Sequence, residues 1–182
     1  MKRVAIVGAS GYAARELCLI LSRHPGARLV MATSRQDEAN RLDQLHPILA
    51  RRTDLACVVF DADRVAEAAE IAFLALPHCA SLEVTPALRE RSVRVIDLSA
   101  DYRLKDAQVY ADWYKHAHTD PAGLREAVYG LPELFRDAIP SAGLIANPGC
   151  YTSTSILALA PLVAEGKIER KGIIIDAKSG VS

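Results

Sequence analysis

The sequence predicts an α/β protein: a doubly wound parallel sheet, followed by the beginning of an α+β unit. Three observations carry this. Short β-branched runs alternate with helical patterns along most of the chain. The strand runs are apolar at consecutive positions, as strands buried on both faces of a parallel sheet must be. The first run leads straight into a glycine-rich turn and then a helix.

Taken in order, Arg3 to Val7 reads as a buried strand, and Tyr12 to His24 as a helix. Ala13, Leu17, Ile20, Leu21 and His24 lie on one face of that helix, with Arg15, Glu16 and Arg23 elsewhere. Pro25-Gly26 ends it. Strands are expected over Arg28–Thr33, Cys57–Phe60, Ile71–Ala75 and Val93–Asp97, with helical patterns around Val65–Ala69 and Leu82–Arg91. Pro86 marks an early-turn or kink position in the second of these helices. Leu104 to Ser141 carries Tyr110, Trp113, Tyr114 and Tyr129 among several turn signals and reads as an irregular excursion. Leu144–Ala146 is a strand again, Thr152–Glu165 a helix and Lys171–Ala177 a β-prone strand without obvious partners, hence an exposed apolar edge.

The composition narrows the class. The 182 residues include 22 basic and 22 acidic side chains, so the formal net charge is zero, and 51% are hydrophobic. Such a chain is too apolar to be disordered, and its charge balance argues against nucleic acid as the main partner. No apolar run approaches the ~18 residues of a membrane span. The stretch after Lys2-Arg3 breaks at Gly8, too soon for a signal peptide, so the expected compartment is the cytoplasm. Cys18, Cys57, Cys79 and Cys150 form no CxxC pair, so spacing predicts neither a zinc site nor a disulfide framework.

Two motifs carry chemistry. The first is Gly8-Ala9-Ser10-Gly11-Tyr12-Ala13-Ala14, between strand and helix at the start of a βαβ unit. Gly8 permits a tight turn, Gly11 lets backbone approach a pyrophosphate, and Ala14 keeps helix close to strand. The helix N-terminus then offers free N–H groups to phosphate, so this is a dinucleotide site. The second strand ends at Ala32-Thr33-Ser34-Arg35. Arg35 can pair with a 2′-phosphate and Ser34 can donate to it, which favours NADP(H) over NAD, with Asp37 or Glu38 as the ribose-binding acid in the other case.

The second motif is Asn147-Pro148-Gly149-Cys150-Tyr151-Thr152, between a strand and a helix whose start is rich in Ser and Thr. A cysteine there feels the helix dipole and nearby N–H donors, which favour the thiolate nucleophile. A buried structural cysteine is the competing role, and the turn alone leaves both open. Beside a nicotinamide, such a nucleophile suits aldehyde–acyl interconversion: thiolate attack forms a thioester, and hydride reduces it to the aldehyde.

These residues resemble the N-acetyl-γ-glutamyl-phosphate reductase family of arginine biosynthesis. The resemblance rests on Val7–Tyr12 with Glu16-Leu17, Phe73–His78, Asp97–Arg103, Tyr129–Glu133, Asn147–Tyr151 and Asp176–Ser182, in the family's order over essentially the whole chain. It implies a Rossmann-type NADP-binding domain over 1–147 and the start of a catalytic domain over 148–182. It implies that Cys150 is acylated and that Gly8, Ser10, Gly11, Tyr12, Ala13, Ser34 and Arg35 hold NADP. Leu76 and Pro77 would lie along the cofactor, and Ser179 and Gly180 near its nicotinamide end. Arg103 and Tyr151 are candidates for the substrate side; a structural salt bridge is an equal alternative for Arg103. His78 reads as a capping or satisfied histidine rather than an acid or base.

Ala14 and Thr152-Ser153 depart from the family's usual Gly and Pro-Thr. The family also continues past this chain's end into a substrate domain that supplies a catalytic histidine. The sequence therefore reads as an N-terminal portion, inactive alone, of an enzyme that is a homo-oligomer when whole. The alternatives are an aminoadipyl-phosphate reductase of the same family, or a non-catalytic NADP-binding module. A small-molecule acyl phosphate is the expected partner, with no nucleic acid, membrane or metal.

Overall fold

The computed structural model describes residues 1–36 and 38–178. Among these, seven strands form one wholly parallel sheet: β1 Lys2–Val7, β2 Ala27–Thr33, β3 Cys57–Val58, β4 Ile71–Leu74, β5 Arg94–Asp97, β6 Val128–Tyr129 and β7 Leu144–Ala146. Their order is β3-β2-β1-β4-β5-β7-β6. The helices are α1 Tyr12–Leu21, α2 Leu42–Leu45, α3 Ala62–Ala68, α4 Ser81–Arg89, α5 Ala107–Tyr114, α6 Pro121–Glu126, α7 Pro132–Phe135 and α8 Cys150–Ala164, with a 3₁₀ turn at Pro47–Leu49. This is the expected doubly wound, Rossmann-like architecture.

β1 shows why both faces are covered. Its successive side chains point to opposite sides of the sheet. Val4 and Ile6 pack with Ala14, Cys18 and Leu21 of α1 and with Leu42 and Leu49. Ala5 and Val7 pack with Val65 of α3, Leu82 and Leu88 of α4, and Leu144. All four β1 residues are at most 1% exposed. Burying each Val or Ile contributes roughly 1.5–3 kcal/mol, so the central strand is strongly held. Cys18 belongs to this core: burial, with Cys57 nearby, pushes its thiol up to about 12, which makes it inert.

Four expectations are corrected. The first helix stops at Leu21 rather than His24. Pro25 disfavours helical backbone at the residue before it, and His24 Nδ1 accepts from the Gly26 N–H at 3.0 Å instead. β3 ends at Val58 rather than Phe60. The stretch 104–141 is more regular than expected, with α5, α6, β6 and α7 inside it. Asp106 and Asp120 explain two of these: each caps a helix, Asp106 by accepting from Gln108 and Val109 N–H, Asp120 from Gly123 N–H. Finally, Lys171–Ala177 is not a strand. A strand needs an edge to pair with, and no described strand lies beside it. Ile173, Ile174 and Ile175 are exposed, Ile174 by 91%, so the apolar surface is present without the pairing.

Candidate active site

The sheet reverses its winding between β1 and β4, and the loops leaving their carboxyl ends flank a crevice where α/β proteins bind ligands. Val7 pairs with both Thr33 and Leu74, so the ends of β1, β2 and β4 are adjacent. Three of the sequence-derived blocks meet here: Gly8–Ala13, Ser34-Arg35 and Leu76-Pro77.

Gly8 sits at φ +91°, and a Cβ there would lie 2.5 Å from the Ala75 carbonyl oxygen. Both the conformation and the space demand glycine. The Gly8 and Ala9 N–H groups donate to Thr33 O, and Ala75 N–H to Val7 O, which pins the turn between β2 and β4. Gly11 is the N-cap of α1 and gives it no side-chain cap. No atom lies within 4 Å of where its Cβ would be. The first N–H groups of α1 thus lack a side-chain cap, and the space beside Gly11 is open among the described residues, which fits a phosphate. Ser10, Tyr12 and Ala13 are exposed around this opening, while Ala14 is fully buried against β1. One support was not legible in the sequence: buried His46, whose Nε2 lies 2.7 Å from Ala9 O, braces the turn from 37 residues away.

At the end of β2, Ser34 is buried and its N–H donates to Val58 O. Arg35 is exposed and forms no ion pair among the described residues, so its guanidinium remains available to an anion. Glu38 is exposed beside it; Asp37 lies outside the described residues.

After β4, Leu76 is partly buried and Pro77 exposed. The loop then meets a buried polar cluster that the sequence did not reveal. Asp101, fully buried, accepts at Oδ1 from Cys79 N–H at 3.0 Å and from Tyr110 Oη at 2.9 Å, and His78 Nδ1 lies 2.8 Å from the same oxygen. Burial and neighbouring Asp101 hold the Tyr110 phenol well above its usual range. His118 Nε2 lies 2.9 Å from Asp101 O. Beside it, Asp97 is fully buried and accepts from Ser81 Oγ, Ser99 N–H and Ser99 Oγ. Burial still keeps its carboxyl above the ordinary carboxylate range.

Cys150 opens α8, beyond β7, with Gly149 as N-cap and no capping side chain. It is exposed rather than buried. Thr152 and Ser153 hydroxyls turn back to Gly149 O, and Thr154 and Ser155 to Cys150 O and Tyr151 O, so they satisfy the helix itself. Tyr151 is 47% exposed. Arg103 donates from Nε to Asn147 O and from Nη2 to Leu98 O, both at 2.9 Å, and its Nη1 lies 3.0 Å from where a Gly149 Cβ would be. It ties the loop after β5 to the cysteine turn, and it does so through carbonyls, not the carboxylate a salt bridge would require. Ser179 and Gly180 lie outside the described residues.

The fold and the glycine turn define a nicotinamide-dinucleotide-binding domain of the doubly wound class. A family profile described as the semialdehyde dehydrogenase NAD-binding domain matches residues 3–142, and the family's dimerisation-domain profile matches residues 150–182. The chain belongs to the semialdehyde dehydrogenase family. It is similar over 99% of its length, at 51% identity, to an N-acetyl-γ-glutamyl-phosphate reductase of Rhodopirellula baltica, and over its full length, at 48%, to one of Moorella thermoacetica. It covers 52% and 53% of those proteins, so the chain spans about half the length of the curated relatives it matches. Among solved structures, aspartate semialdehyde dehydrogenase of Candida albicans with NADP aligns over 91% of this chain and 47% of its own, with TM-score 0.68 at 14% identity. That likeness concerns the fold. No helix among the described residues is long and apolar enough to cross a membrane.

Proposed function

We propose that this chain supplies the NADP-binding domain and the nucleophile of an N-acetyl-γ-glutamyl-phosphate reductase in arginine biosynthesis. The observation that carries the reading is the placement of an exposed cysteine, Cys150, at the first position of α8 on the same carboxyl edge that holds the glycine turn. The identity to named reductases supports the substrate assignment over the aspartyl enzyme. We place the domain boundary after Asn147, where the sheet has ended and α8, which buries no residue, begins.

The Gly8–Ala13 backbone receives the pyrophosphate at the uncapped N-terminus of α1, and Ser34 and Arg35 receive the 2′-phosphate that distinguishes NADP from NAD. In this reading Leu76 and Pro77 line the middle of the cofactor, and Ser179 and Gly180, outside the described residues, are assigned to its nicotinamide end by the family resemblance. When bound, the reduced cofactor supplies hydride. Cys150 attacks the acyl carbon as thiolate, the C–O bond to phosphate breaks, and inorganic phosphate leaves. Hydride delivered to the thioester carbon gives the thiohemiacetal alkoxide on Cys150, whose C–S bond breaks as the C=O bond re-forms, freeing aldehyde and thiolate. Arg103 holds the cysteine turn, with Tyr151 beside it on the substrate side. The protein is expected in the cytoplasm and as a homo-oligomer, which the dimerisation-domain match supports.

Intact-mass spectrometry after mixing with N-acetyl-γ-glutamyl phosphate, without NADPH, tests this. An acyl adduct on Cys150 that is absent in Cys150→Ser is expected. An adduct elsewhere, or near wild-type turnover by that variant of the whole enzyme, overturns the assignment.

A further inference from the structure

We propose that His78, Cys79 and Asp101 form a binding site for a divalent cation of borderline softness, with Zn²⁺ the best match to a nitrogen, thiolate and carboxylate donor set. The three donor atoms lie within 4.8 Å of one another. They come from two loops, His78 and Cys79 after β4 and Asp101 after β5, and parallel pairing of those strands brings the loops together. Spacing along the chain could not reveal this, because the donors are shared between separate strand ends.

A second observation points into the same cluster. Asp101 is fully buried, and while its Oδ1 accepts from Cys79 N–H and Tyr110 Oη, its Oδ2 has no hydrogen-bond partner among the described residues. No lysine or arginine pairs with it among the described residues; within ion-pair distance there lies only the His78 ring. Buried carboxylates are paired or coordinate metals, and a cation would supply what Oδ2 lacks. His78 keeps 38% of its side chain exposed, which provides an entry path. Cys79 takes a left-handed φ of +69°, so the backbone strain falls on the residue that brings the thiolate.

The proton balance is simple. Cys79 releases its thiol proton to solvent on binding. The cation takes the place between His78 Nδ1 and Asp101, and the imidazole keeps one proton, moved to Nε2, where Tyr110 Oη lies 3.5 Å away. Three protein donors leave a fourth position for water. The site would staple the loop after β4 to the loop after β5, and the metal titration reads it whether or not the function proposed above holds.

Titration of the full chain with Co²⁺ tests it. A thiolate-to-cobalt charge-transfer band should saturate at one equivalent and be displaced by Zn²⁺. It should persist in Cys150→Ser and disappear in Cys79→Gly, a change that suits the left-handed backbone and so preserves the fold. His78→Ala should weaken binding by about tenfold or more. Absence of the band in the unaltered protein, its survival in Cys79→Gly, or its loss in Cys150→Ser would overturn the proposal.

Discussion

Gly8 and His118 stand at opposite ends of what a single residue discloses. Gly8 was legible because its constraint is local: a strand, a turn and a helix follow one another, and the left-handed φ with the Ala75 carbonyl 2.5 Å from a would-be Cβ bears it out. His118 was not, because its partners are decided by packing. Its Nε2 faces Asp101 O and its Nδ1 accepts from Asp120 N–H, an arrangement only the neutral ring satisfies. Burial accordingly depresses its pKa below the usual 6.5. Between the depressed value and 6.5 the unfolded chain binds a proton that the folded chain does not, so stability rises with pH there. Lowering the pH through 6.5 should therefore weaken the fold, with a plateau below the depressed value. Urea midpoints of the wild type and His118→Gln across this range check it: the variant should show a flatter slope, and parallel profiles would remove His118 from the account. His46, Asp97 and Asp101 were hidden for the same reason, since each makes a contact with a residue distant in the chain: Ala9, Ser81 and Cys79.

Elements with strong apolar patterns were read correctly, and those set by caps or by partners were not. β1 buries Val4–Val7 outright, and the apolar runs of β2, β4 and β5 are buried or half-buried, so composition located them. α5 and α6 are short, and only one or two residues of each are buried. Their signal is the capping aspartate, with Pro121 at the start of the second. Asp106 accepts two N–H groups of α5, so Asp106→Ala should cost about 1 kcal/mol. That corresponds to roughly 2–4 °C in Tm by scanning calorimetry; an unchanged Tm would show that the cap carries no stability. Lys171–Ala177 failed in the other direction. Its composition is β-prone, but composition cannot provide an edge. α8 is related: it is rich in apolar residues yet buries none of its own.

At the scale of the whole molecule, the zero net charge hides a local arrangement. The carboxyl edge of the sheet gathers an uncapped helix N-terminus at Gly11, the exposed Arg35 and, three strands along from β1, the cysteine turn beyond β7. Adjacent strands are about 4.8 Å apart, so the two motifs are separated by roughly 14 Å. Topology makes this proximity, since the strands are all parallel and their carboxyl ends share one edge. The central claim is that this edge binds NADP, with Arg35 on the 2′-phosphate. Titration with NADPH and NADH, followed by nicotinamide fluorescence in wild type and Arg35→Asp, tests it most directly. A charge-assisted contact contributes about 1.5–3 kcal/mol, so wild type should prefer NADPH by about tenfold or more, and Arg35→Asp should lose that preference while still binding NADH. No binding of either nucleotide, or equal weakening of both by Arg35→Asp, would contradict it.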